Sequence, residues 1–342
     1  VSDKEHGVVT IADVAKAAGV SSSTVSYVLS GKRPISPNTR ERVLRSIQSL
    51  GYHPHAGARA LASHKTNVLA LVAPLRADIV VPVIMQFATA IVTEARSHDH
   101  DVLLLTQDEG PEGIARVTSS AMVDALILMD VEQDDPRIPQ LAEQRQPAVL
   151  IGLPAVPMGL SCVDLDFEAA ARCAVDHLAD HGHRRIAMVG QPAAVYERGT
   201  SHALRFQRGF TEGLAAHGAQ GISEPCEQTY TGVSECLDRI LQQLPGVTAL
   251  VVHNEPTLGP VLDQLRARGR RVPDDVSVVT LCPSGDALSH PVRLTSIDIP
   301  AAEVGAIAVQ MVMQRMQHDG EPEIRLVAPR LTERDSCAAP PA

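Results

Sequence analysis

The sequence has no tryptophan and only 2% aromatic residues, so any stacking surface must be built from a handful of rings. It also has no run of about 18 apolar residues, which gives no candidate for a membrane-spanning helix. The opening residues VSDKEHGVVT are charged, with no basic segment leading into an apolar one, so no secretory signal is expected and a cytoplasmic location follows. The six cysteines, Cys162, Cys173, Cys226, Cys236, Cys282 and Cys337, form no CxxC pair and share no metal-ligand spacing with histidine. That pattern fits scattered reduced thiols better than a disulfide framework or a zinc site.

Catalytic signatures are missing as well. No GxGxxG follows a strand, and GxxxxGK(S/T), GxSxG and HExxH are absent, which removes phosphate cradles and nucleophile elbows. His181-Gly182-His183 resembles a metal pair, but it sits at a helix end in DHLADHGHRRIAMVG, where histidine and arginine complement the helix dipole. A structural role is the better reading. No catalytic residue, metal ligand or cofactor is assigned, and the chain is not expected to be an enzyme.

What is present is a chain of 342 residues, 44% hydrophobic and 20% charged, long enough for two or three domains with their own cores. Its charge is unevenly placed. Residues 1–65 carry nine Lys and Arg against four Asp and Glu, a balance of +5, so the remaining chain carries −15 of the total −10. A small basic module on an acidic body suits a protein that holds nucleic acid with one part and reads something else with the other.

From Thr10 the pattern is helical. Thr10 and Asp13 have capping-box spacing, and Ile11, Val14, Ala15 and Ala18 mark one face until Gly19 stops the helix. A second helix opens at Ser21 with Val25, Val28 and Leu29 turned inward. A third runs from the Ser36-Pro37 start through Val43, Leu44, Ile47 and Leu50 to Gly51. Ala15, Gly19 and Val25 fit a helix-turn-helix: a small residue where helices cross, a glycine for the turn's positive φ, and a valine to plug the interface.

The stretch TIADVAKAAGVSSSTVSYVLSGKRPISPNTRERVLRSIQSLGYHPHAGARALAS resembles the headpiece of the LacI family of bacterial transcription regulators, and the likeness continues to about Ala328. The resemblance implies that the second helix enters the major groove. Ser22, Ser23 and Tyr27 then read bases, while Thr10, Ser21, Thr24, Ser26 and Ser30 hold phosphates. Serine discriminates bases poorly, which leaves much of the operator preference to Tyr27. The resemblance also makes residues after Tyr52 a hinge helix that forms over the operator, with Leu61 as the wedge, Ala58 facing the groove, Arg59 on phosphate and His55 where asparagine is common.

From Asn67 onward the apolar runs NVLALVAP, DVLLLT, DALILM, PAVLIG, RRIAMVG, TALVVH and VSVVTL alternate with amphipathic stretches at 80–97, 167–181 and 301–317. The alternation predicts an α/β fold with parallel sheets. With the resemblance, the fold expected is an all-α headpiece (1–53), a hinge (54–65) and a periplasmic-binding-protein-like core (66–342) of two doubly wound subdomains. These would be about 66–164 plus 294–323, and about 165–293 plus 324–342. The ligand would lie between them, at the strand C-termini.

Followed position by position, the family's effector residues fall on Phe206, with Arg205 nearby, on Asn254 and Glu255, and on Cys282. Arg76 and Asp78 are candidates for the other wall. The function implied is sequence-specific repression of carbohydrate-utilisation genes on a pseudo-palindromic operator in double-stranded DNA, as a homodimer controlled by a small molecule, expected to be a sugar. The tail LTERDSCAAPPA has no heptads, which favours a dimer over a tetramer. Two other readings stand beside it: a sugar-binding or sugar-modifying protein with a vestigial headpiece, and a purine-type regulator that needs a corepressor.

Overall fold

The computed structural model describes residues 9–30, 33–52, 65–76, 79–120, 122–318 and 320–341. The chain folds as two compact units that meet in sequence between Thr66 and Asn67.

The first unit contains α1 (Ile11–Ala18), α2 (Ser22–Ser30) and α3 (Pro37–Leu50). The Asp13 carboxylate accepts from both the backbone N–H (2.8 Å) and the hydroxyl (2.7 Å) of Thr10, which fixes the start of α1. Gly19 ends that helix at φ +64°, the left-handed region that a Cβ disfavours. Ser36 caps α3 by accepting from the Thr39 N–H at 3.3 Å, with Pro37 at the first helical position. Val14, Val25 and Val43 are fully buried among Ala15, Ala18, Val28 and Tyr52. Burying one such valine is worth roughly 1.5–3 kcal/mol, which holds together helices too short to persist alone. Two residues expected inside lie at the surface: Leu29 is 38% and Leu44 47% exposed. Each sits about 70–100° around its helix from the valine face that meets the core.

The second unit alternates strands and helices. Its first part runs β1 (Val68–Val72), α4 (Val81–Ser97), β2 (Asp101–Leu105), α5 (Gly110–Ser119), β3 (Ala125–Leu128), α6 (Ile138–Glu143), β4 (Ala148–Ile151) and β5 (Ser161–Leu165). Then come α7 (Phe167–Asp180), β6 (Arg185–Val189), α8 (Ala193–Glu197), α9 (Ser201–Ala216), β7 (Gln220–Glu224), α10 (Tyr230–Gln243) and β8 (Ala249–Val252). The last part holds α11 (Leu258–Ala267), β9 (Ser277–Leu281), α12 (Ser284–Leu288), β10 (Thr295–Ile297), α13 (Ala301–Gln317), β11 (Ile324–Val327) and β12 (Leu331–Thr332).

The strands form two six-stranded sheets, ordered β11-β5-β4-β3-β1-β2 and β12-β10-β9-β8-β6-β7. Every pairing is parallel except β10 with β12. Both faces of each sheet are covered by apolar clusters, so central strands such as Ala125–Leu128 are unbroken hydrophobic runs.

The subdomain limits need correction at two strands. Thr295–Ile297 pairs with β9 in the second sheet, and Ile324–Val327 pairs with β5 in the first. The chain therefore crosses after β10 and again after β11, a few residues later than expected each time. The crossings at 166, 298–300 and 328–330 lie side by side, with the Asp166 N–H donating to Val327 O (2.9 Å) and the Asp298 N–H to Arg330 O (3.2 Å). Helix α13 packs in the first layer through Val304, Ala308 and Val312. In the second layer α9 lies directly on the start of α7: a Cβ on Gly209 would stand 2.2 Å from Glu168 O, so only glycine fits.

Candidate functional site

The first unit presents a polar helix mouth. The Ser21 hydroxyl accepts from the Thr24 N–H at 3.2 Å and shares hydrogen bonds with the hydroxyls of Ser23 (2.8 Å) and Thr24 (2.9 Å). Ser21, Ser22 and Ser23 are exposed, as is Thr10, and the first turn of α2 carries no acidic side chain. A helix N-terminus of this kind, with a partial positive charge and short hydroxyls, is suited to a phosphate oxygen. Ser26 and Tyr27 are half-buried, and the guanidinium of Arg33 lies 5.1 Å from the centre of the Tyr27 ring. A cation over an aromatic face at this distance steadies the ring. The side chain of Ser30 lies outside the described residues, as do His55, Ala58, Arg59 and Leu61.

In the second unit the C-terminal ends of the two sheets face a cavity of about 140 Å³. Phe87, Phe167, Ile84, Ile151 and Leu281 supply apolar wall, and Asp130, Asp164, Gln191, Arg198, His202, His253 and Glu255 supply polar groups. Few sites need more than such a shell with a small set of convergent polar atoms. His253 Nδ1, Asn254 Oδ1 and Glu255 Oε2 are buried without a hydrogen-bond partner. Burial pushes the Glu255 carboxyl up to about 7. Burial, reinforced by His202, holds His253 well below the usual imidazole range, so its ring is neutral. Burial also raises Asp164, to about 6, against the pull of Arg205.

One side of the cavity is tied across the two layers. Arg76 donates to Asp108 at 2.8 Å and to Asp130, and approaches Glu132 at 3.7 Å, while Arg198 reaches Glu132 (3.5 Å) and Asp130 (3.9 Å). Burial works against the charge on Arg76, but these carboxylates outweigh it and raise its pKa. Next to these ion pairs the Gln133 N–H donates to Gly199 O (2.7 Å) and the Ser201 N–H to Val131 O (2.9 Å). The segment after β3 and the turn between α8 and α9 thereby form a latch over the cleft.

Of the expected effector residues, Glu255 lines the cavity and Arg76 belongs to the latch, while Asp78 lies outside the described residues. The other four are placed differently. Phe206 is fully buried, because it shares the inward face of α9 with Ala203 and Phe210, and its ring lies 4.0 Å from that of His253. It supports a wall residue and offers the cavity no face of its own. Cys282 is a core thiol, and burial pushes it up to about 12. Arg205 is spent on a 2.7 Å ion pair with Asp164 and a 3.2 Å bond to Leu165 O, so it positions a lining carboxylate. Asn254 donates to Gly190 O (3.1 Å) and Cys226 O (2.8 Å), tying the loops behind the cavity.

Sequence reasoning missed Phe87, Asp130, Asp164, Phe167, Gln191, Arg198, His202 and His253. A signal for half of them was available. Asp130, Asp164, Gln191 and His253 stand at or just after the C-terminal ends of β3, β5, β6 and β8, where the rule for open α/β sheets places ligands.

Comparison with known proteins agrees with both units. Residues 10–55 match the family described as bacterial regulatory proteins, lacI family, and residues 175–337 match a periplasmic binding protein-like domain. Catabolite control protein A of Streptococcus mutans is 31% identical over 325 residues, covering 93% of this chain and 95% of that protein. The HTH-type transcriptional regulator CelR of Thermobifida fusca is 31% identical over 330 residues, again 93% and 95%. Among solved structures, a transcriptional regulator CelR–cellobiose complex superposes with a TM-score of 0.70 at 28% identity over 96% of this chain and 99% of that one. The lac repressor bound to ONPG superposes with a TM-score of 0.81 at 25% identity over 96% and 100%. The relatives are transcriptional regulators, and with this identity sustained from the helix-turn-helix to the last strands, the chain belongs to the lacI family of bacterial regulatory proteins.

Proposed function

We propose that the protein is a dimeric repressor of carbohydrate-utilisation genes whose hold on a pseudo-palindromic operator is set by a sugar or glycoside in the cavity between the two sheets. The observation that carries the effector half is the pair His253 and Glu255 on the cavity wall, each with a buried polar atom lacking a partner. Every such atom costs about 1–3 kcal/mol while unsatisfied, and a polyhydroxylated ligand reaching the cavity removes part of that cost. Carboxylates at Asp130, Asp164 and Glu255 accept from sugar hydroxyls, and Phe87 and Phe167 offer apolar faces to sugar carbons. The cellobiose and ONPG in the two superposed regulators support this class of ligand.

On the DNA side, the basic first 65 residues and the serine-rich start of α2 support major-groove docking, with Tyr27 as the reader and Leu61 as the hinge wedge. Coupling follows from the latch. A ligand between the layers favours one angle between the two sheets, and a preference of about 1–3 kcal/mol changes operator occupancy many-fold.

The test is a titration of operator-bearing DNA at several salt concentrations, with and without sugars that raise the thermal stability of the second unit. A steep salt slope, preference for one palindrome and release by a stabilising sugar are the expected results. Weak, sequence-blind binding overturns the operator role. Tightening of operator binding by a purine and indifference to every sugar overturns the effector class.

A further inference from the structure

We propose that His177, His181 and Glu333 form a binding site for a divalent transition-metal ion of the zinc class, separate from the effector cavity. The pair His181-Gly182-His183 that draws the eye in the sequence is not the pair involved. The His183 ring is consumed inside the second layer, by Thr248 Oγ1 (2.8 Å), Ser277 Oγ (2.9 Å) and Ala338 O (2.9 Å). His177 and His181 instead stand one helical turn apart at the end of α7, with ring centroids 4.5 Å apart.

Both rings are prepared as ligands. His181 Nδ1 lies 2.8 Å from His177 O, and since a carbonyl only accepts, Nδ1 carries the proton and Nε2 presents a lone pair. Donation of the other ring nitrogen to a backbone carbonyl is the usual way a metal-binding histidine is oriented. His177 Nε2 is buried with no hydrogen-bond partner. Glu333, the residue after β12, brings Oε1 to 3.7 Å from His181 Nε2, too long for a hydrogen bond and close to the spacing of two ligands on one ion.

One ligand atom from each of the three residues lies within 4.8 Å of the others. Ligand distances of about 2.0–2.2 Å put the edge of a tetrahedral zinc site at roughly 3.4 Å. Closing the difference takes at most about 1.5 Å, and for the 3.7 Å between His181 and the exposed Glu333 only about 0.3 Å. Two imidazoles and one carboxylate select zinc, nickel, cobalt or copper over magnesium or calcium, and leave a fourth position for water or an outside group.

The site is remote from the effector. Phe167 at one end of α7 lines the cavity, while His177 and His181 lie ten and fourteen residues further on, about 15–21 Å along the helix. Glu333 belongs to the final segment, which Ser336 and Ala338 fasten to β9. A bound ion therefore staples the chain's last segment to α7, adding to folding free energy.

The experiment titrates the full chain with Zn²⁺ by calorimetry and with Co²⁺ by visible absorption, for the wild type, His181→Gln and Glu333→Gln. One equivalent per chain is expected for the wild type, with a rise in melting temperature. Both variants should lose affinity by at least the roughly 10–100-fold that loss of even an outer-shell partner costs. Glu333 is exposed, so its variant tests the ligand set without disturbing the fold. The proposal is overturned if the wild type binds neither ion, or if both variants bind as the wild type does and the ions are held by other histidines.

Discussion

The two candidate sites are built in opposite ways. The serine-rich mouth of α2 is local: Ser21, Ser23 and Thr24 satisfy one another within three residues of sequence, and Ser21 and Ser23 face water. The cavity gathers residues from Ile79 to Ile299, and two side chains on its wall, His253 and Glu255, carry buried atoms left without partners. A surface that meets a polyanion can be satisfied before its ligand arrives, because water serves as the interim partner. A cavity that selects an uncharged polar ligand keeps groups unsatisfied, and that standing cost is what the ligand relieves.

The largest separation between the two regions is expected from Val25→Asp. The side chain is fully buried between the helices of the first unit, and a carboxylate there costs several kcal/mol, as much as three short helices have to give. Operator binding should vanish and the α1–α3 signal unfold at ambient temperature, while calorimetry finds the second unit's transition and its ligand shift unchanged. Phe206→Ala acts on the other region. Its expected cost is about 3–5 kcal/mol in the second unit's transition, as for other buried aromatics, with the headpiece unaffected. A variant that kept full stability and lost only effector response would return Phe206 to the role of a ligand contact.

Local encoding explains what could be read from the sequence. The capping pair Thr10 and Asp13, the turn at Gly19 and the Ser36-Pro37 start are each set by neighbours a few residues away, and the structure has all of them. Runs such as ALIL and ALVV announce central strands because both their faces are buried. Two edge strands gave no such signal: QGISE in β7 is half-exposed to exposed with the composition of a loop, and IRLV in β11 is only four residues long, with all but Val327 exposed. The missed β11 and the short β10 are also why the subdomain limits fell a few residues early. At the cavity, carrying residues over from the family position by position reached the lining at Glu255 but not at Phe206 or Arg205. One position of helical phase decides whether a side chain meets the ligand, the core or a partner such as Asp164.

Glu255→Gln probes the stored cost directly. The wild-type carboxyl is raised from an ordinary 4.5 to about 7 by burial, so its protonated form stabilises the ligand-free core at low pH. That contribution is complete below about pH 4.5 and is lost as pH rises through 7. Melting temperature against pH should therefore fall over this window in the wild type and fall less in the variant. Effector affinity should drop about tenfold or more at pH 8, where the ionised carboxylate accepts most strongly, with operator affinity in the absence of ligand unchanged. Equal pH profiles in the two proteins would remove Glu255 from the site.

The smallest expected effect lies in the first unit and divides positioning from reading. The resemblance gives Ser23 to base reading, but serine discriminates bases poorly, so Ser23→Ala, which removes a hydroxyl that bonds Ser21, should weaken binding evenly across a panel of operators. Tyr27→Ala should change their ranking, since loss of one base contact is worth about 1–3 kcal/mol at the position it reads and little elsewhere. Arg33→Ala tests the support beneath it: without the cation over the ring, worth about 0.5–1 kcal/mol at an exposed site, the preference should blur in the direction of the Tyr27 variant but less far. The three panels must be run at one salt concentration, because phosphate contacts alone can move all affinities together. If Ser23→Ala reorders the panel and Tyr27→Ala lowers it evenly, the serine mouth reads the operator and the tyrosine only braces it.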